Sequence, residues 1–68
     1  MKSSAIQKII NETYEYTGQY IVKTVSGNEY SLINDECNFV ETQDGLLVYH
    51  GDNGTIWIEC EKIESIRI

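Results

Sequence analysis

The chain is short of cysteine, of basic residues, of proline and of long apolar runs, and each shortage removes a class of protein. Cys37 and Cys60 are its two cysteines, and with no Cys-x-x-Cys pair they form neither a disulfide framework nor a zinc-site pattern. No basic, apolar leader marks the chain for an oxidising compartment, so both cysteines are expected as reduced thiols and the protein as cytoplasmic. Cys60 follows Ile56 and Ile58 along one strand face and is read as a small hydrophobe. No apolar run approaches the roughly 20 residues that a helical membrane span requires. Asn11-Glu12-Thr13 and Asn53-Gly54-Thr55 match the glycosylation triplet, which has no use in a cytoplasmic chain. Five basic side chains stand against eleven acidic ones, a formal net charge of -6. That surface penalises approach to phosphate backbones and disfavours nucleic acid as a partner. The missing proline, together with ten isoleucines, five asparagines and five tyrosines, matches what an AT-rich genome encodes and points to a low-GC bacterium or its phages.

Patterns that carry catalysis are missing as well. Imidazole and carboxylate in His50-Gly51-Asp52 have the chemistry of a metal or acid-base pair, but this is the one histidine and no further ligand stands at ligand spacing. The bland reading is a strand-end histidine beside a turn. No serine lies in anything like a nucleophile elbow. Glu59, Glu61 and Glu64 read either as a solvated face or as a carboxylate cluster for a basic partner. Asp35 and Glu36 are not followed by alternating ligands of a calcium loop. The expectation is therefore a protein that is not an enzyme, with no metal and no cofactor.

What the chain does have is turn chemistry and alternation. Asp44-Gly45 and Gly51-Asp52-Asn53-Gly54 are residues that tolerate positive φ and reverse tight hairpins. Between such signals, strands are predicted over Gln19 to Val25, Glu29 to Ile33, Asn38 to Thr42, Leu46 to His50, Thr55 to Cys60 and Ile63 to Ile68. Before them, Ser4-Ala5-Ile6-Gln7 fits a capping box. Ala5, Ile6, Ile9, Ile10 and Tyr14 then recur at helical spacing, predicting a helix over 3–15 that is ended near Gly18. The connections are too short for crossover helices, so the strands must run antiparallel. The fold class that follows is a mainly β single domain over 1–68: a small antiparallel β-barrel of five or six strands over 18–68, with an amino-terminal α-helix across one end or face.

A chain this short buries only about 60% of its unfolded surface. Ile56, Ile58 and Cys60 alternate with Trp57, and Tyr20 and Val22 with Ile21, so both strand faces are apolar. The surplus predicts cover by the helix or by a second copy, hence a homo-oligomer. Tyr14, Tyr16, Tyr20, Tyr30, Tyr49 and Trp57 are the residue types favoured where a partner buries a surface. Tyr20, Tyr30 and Phe39 are expected in the core, and Trp57 is expected to point outward. Without interleaved Arg and Lys, the aromatic set lacks the electrostatic half of a nucleic-acid platform. The candidate contact residues for a protein partner are accordingly Trp57, Tyr49, Glu59 and Glu61, in a small regulator or inhibitor.

The amino-terminal helix, the bent strand pair, Asn34-Asp35-Glu36-Cys37-Asn38-Phe39-Val40 and the ending Ile58-x4-Ile63-x2-Ile66 together resemble the Sm-like small barrels. SH3-like barrels resemble the same stretch nearly as well. The Sm likeness covers most of residues 5 to 68. It implies a ring whose loop between the second and third strands binds RNA or a small nucleotide, here through Asn34, Asp35 and Asn38, and that reading requires Arg67, Lys62 and Lys23 to converge on one site despite the negative charge.

Overall fold

The structure is a computed structural model that describes every residue from Met1 to Ile68. Helix α1 spans Ser3–Glu12. Its apolar stripe turns Ile6 fully into the core, while Ile9 and Ile10 are half-buried and Ala5 is exposed. The capping box is not used. Chain entry is extended at Lys2, and the backbone N–H groups of Ala5 and Ile6 both bond to the Lys2 carbonyl, so the helix begins ahead of Ser4. Gln7 turns its side chain to Asn11 and Thr42 instead. The helix also ends earlier than 15. Thr13 Oγ1 donates to the Ile9 carbonyl at 2.7 Å and lies 2.6 Å from the Tyr20 hydroxyl, which pins the helix end to the first strand.

Six strands follow: β1 (Gly18–Thr24), β2 (Glu29–Asn34), β3 (Phe39–Gln43), β4 (Leu46–Gly51), β5 (Gly54–Glu59) and β6 (Ile63–Arg67), with a 3-10 turn over Cys60–Lys62 joining the last two. Asp44 and Gly45 both hold positive φ, 53° and 79°, as the two-residue Asp-Gly turn requires. All pairings are antiparallel. They make two three-stranded sheets, β2-β1-β6 and β3-β4-β5, and no ladder joins one to the other. The closed barrel expected from the sequence is therefore not formed by continuous hydrogen bonding. At one corner, Asp35–Asn38 turns the chain sharply, with the Asp35 N–H on the Asn38 carbonyl, and β3 leaves the first sheet. At the other, the 3-10 turn carries β5 across to β6.

Between the sheets lie Ile6, Tyr20, Val22, Leu32, Val40, Leu47, Ile58, Cys60 and Ile63. Tyr20 is core as expected, but Tyr30 is half-buried and Phe39 is 48% exposed. Phe39 and Val40 are adjacent apolar residues, and a strand can send only one of them inward. No helix is long and apolar enough to cross a membrane.

Candidate functional site

Register along β3, β4 and β5 defines a sheet face that looks away from the core. Phe39, His50 and Thr55 lie in one row, Glu41, Val48 and Trp57 in the next, and Gln43, Leu46 and Glu59 in the third. Trp57 is 62% exposed, which agrees with the outward direction inferred from alternation. Phe39 stacks on the His50 ring, with centroids 4.7 Å apart and planes 30° from parallel. Val48, though on this outer face, is buried between Glu41 and Trp57. The His50 Nε2 meets Glu41 Oε2 at 2.5 Å, so the histidine's carboxylate partner is Glu41 across the sheet and not Asp52.

The face is electrostatically one-sided. Thr24 through Glu61 contain no Lys or Arg but eight of the eleven acidic residues, Glu41, Asp44, Asp52 and Glu59 among them. Elsewhere, Lys23 lies 4.0 Å from Glu64 and Arg67 3.7 Å from Glu29, both pairs on the other sheet. An acidic rim around an aromatic centre can accept a cation over the Trp57 ring and pair it with a carboxylate.

Of the residues proposed for a protein contact, Trp57 and Glu59 share this face. Glu61 follows on the 3-10 turn. Tyr49 does not belong: it pairs with Val40 and Ile56 on the opposite side and packs against the core. The run Leu46-Leu47-Val48-Tyr49 hides its own phase, because a one-residue shift exchanges faces without changing the hydrophobicity of either. Tyr49 instead lines a cavity of about 340 Å³ with Ile33, Ile56, Asn38, Asp52 and neighbouring turn residues. Two residues that alternation did not nominate, Phe39 and Val48, complete the outer face. Only the register against Trp57 and His50 reveals them.

The alternative nucleotide residues divide differently. Asn34, Asp35 and Asn38 do come together at the β2–β3 corner, but their polar atoms are engaged there. Asp35 Oδ1 accepts from the Asn38 side chain at 2.9 Å and from the backbone N–H groups of Cys37 and Asn38 at 2.8 Å each. These bonds, the Asn38 side chain foremost, hold its carboxyl below the usual range. Asn38 Oδ1 takes the Asp52 N–H, and Asn34 Nδ2 donates to the Tyr16 carbonyl. The loop is a self-satisfied corner. Arg67 lies beside Glu29 on β2, while Lys62 is on the 3-10 turn that leads into β6. No group of three His, Cys, Asp or Glu side chains is placed to hold a metal ion.

Compared with known proteins, the chain matches no family model, no curated sequence and no solved structure.

Proposed function

We propose that this chain is a non-catalytic binding module, a small regulator or inhibitor that associates with another protein through the outer face of β3, β4 and β5. The observation that carries this reading is the 62% exposure of Trp57 on a face flanked by Phe39 and bordered by Glu41 and Glu59. A tryptophan left in water on an edge strand is stabilised little by its own fold. Buried by a partner, the same ring is among the strongest contributors to binding. The acidic rim favours a partner with basic groups around an apolar site. The two sheets folded over one core support a small barrel-like domain of the Sm-like or SH3-like kind, and such a scaffold leaves function to whatever surface it displays. The engaged side chains at the β2–β3 corner and the charge of -6 weigh against RNA or nucleotide binding.

The test compares Trp57→Ala with Ser31→Ala, which alters the other sheet. Both variants are expected to keep the circular dichroism spectrum and melt within about 1 kcal/mol of the parent, as exposed positions do. Only Trp57→Ala should lose a partner cross-linked to the parent chain in its native host. Collapse of the Trp57→Ala fold would place the ring in the core. Tight, salt-sensitive RNA binding would move the reading to nucleic acid.

A further inference from the structure

Strand β5 is an edge whose hydrogen-bonding side is open. The Cys60 N–H bonds to the Gly45 carbonyl at 2.9 Å, which continues the β4–β5 register as a hydrogen-bonded pair. Pairs alternate along an antiparallel ladder, so Ile58 and Ile56 bond to β4, whereas Trp57 and Thr55 direct their N–H and C=O groups away from it. Those outward groups meet no partner within the chain. Two of the other three edges are covered or interrupted. Helix α1 packs along β3. β6 is charged at Glu64 and Arg67 and is paired through a register shift at Lys23 and Thr24. β2 meets β3 only at the corner and is otherwise unpaired on its outer side, but it carries no exposed tryptophan to anchor an added strand. β5 has no bulge, no proline and no lysine, and it exposes Ile56 and Trp57 on its two faces. Natural proteins normally blunt such an edge.

We propose that β5 receives an added strand from a partner protein, an extended segment with Arg or Lys at alternate positions and apolar residues between them. This rests on the reading of the Trp57 face as a protein-contact surface and specifies how that contact is made. Side chains of an added strand alternate faces in step with β5. One set would lie beside Thr55, Trp57 and Glu59, where a guanidinium or ammonium stacks on the Trp57 ring and pairs with Glu59. The other set would lie beside Ile56, where an apolar side chain extends the surface formed with Ile33 and Tyr49. Charge selects this occupant over a second copy, because a copy brings another -6, while a basic segment neutralises a sheet that has no cation.

Trp57 is the one tryptophan, so its emission reports the event directly. The probe is an end-capped peptide of about seven residues alternating arginine and valine, the length of a typical strand. Titrated into the full chain, it is expected to shift and saturate the Trp57 emission, with affinity falling at least about fivefold between roughly 0.05 and 0.5 M salt. Methylating the amide nitrogens of one alternate set should weaken binding about tenfold or more, and methylating the other set should not, because only one set faces β5. Equal binding of both methylated peptides would overturn strand addition while leaving the Trp57 surface standing. So would an unperturbed Trp57 emission in a chain whose cross-linked partner is still lost in Trp57→Ala. A glutamate-valine peptide that binds as well would overturn the basic segment. If light scattering shows a dimer that the arginine peptide cannot disrupt, the occupant of β5 is a second copy and the proposal is wrong.

Discussion

Individual side chains in this protein are set by neighbours that sequence spacing does not display. Asp35 is the clearest case. Its carboxylate accepts three hydrogen bonds at the β2–β3 corner, and these favour the ionised form. A carboxyl with a lowered folded-state value contributes stability that is complete above the unfolded value of about 3.9 and is lost as pH falls through the lower folded value. Asp35→Ala should therefore melt below the parent at neutral pH, and the gap should narrow as both are taken to about pH 2. A gap that persists in acid would assign the loss to turn geometry and not to charge. The two thiols differ in the same local manner. Cys37 is exposed at the corner, whereas Cys60 is buried in the core and its thiol is pushed up by desolvation. Since the thiolate is the reactive form, one equivalent of a thiol reagent should be consumed quickly by the native protein and the second only on unfolding. Two rapid equivalents would show that the 3-10 turn opens readily.

Elements were more legible than the faces they present. Asp44-Gly45 and Gly51-Asp52-Asn53-Gly54 marked their hairpins, and strand boundaries fall within a residue or so of those expected, because positive φ and chain reversal are local properties. Faces are ambiguous where apolar residues run consecutively. Phe39-Val40 gives no phase by itself, and the structure turns Phe39 outward and Tyr49 to the side opposite Trp57, against expectation. The helix begins at Ser3 as the 3–15 range expects, but not through the Ser4 capping pattern: the chain entry at Lys2 follows Met1, whose nitrogen donates to the Cys60 and Ile63 carbonyls at 2.9 and 2.6 Å. The helical stripe itself was readable, and it makes a graded prediction. Ile6 is completely buried, so Ile6→Ala should cost about 2–5 kcal/mol through lost transfer energy and a cavity that the surrounding sheets cannot fill. Ile9 is only half-buried, and Ile9→Ala should cost about half as much. Equal losses in chemical denaturation would mean that the helix is rotated from the orientation described. No loss in either would make it a free arm.

For the whole molecule, the deciding quantities are surface and charge. The chain exposes 4501 Å², and a compact monomer of this mass is expected to expose about 4400 Å². Burial alone therefore does not demand a second copy, even though Ile33, Phe39, Ile56 and Trp57 remain in contact with water. The charge of -6 opposes self-association, with a range set by a screening length of about 10 Å at 0.1 M salt. Association through apolar patches has the opposite sensitivity to that of a basic partner: salt screens the repulsion between copies and strengthens apolar contact, but it weakens attraction between unlike charges. Light scattering at tens of micromolar should accordingly return a mass near 7.8 kDa at about 0.05 M salt and a rising mass toward about 1 M. Trp57→Ala and Ile56→Ser should each blunt the rise, because they remove the apolar groups that β5 exposes. If the protein is already assembled at low salt and is taken apart by added salt, the subunits are held by ion pairs. In that case Lys23, Lys62 and Arg67 are the residues to change, and the surface that matters is the first sheet.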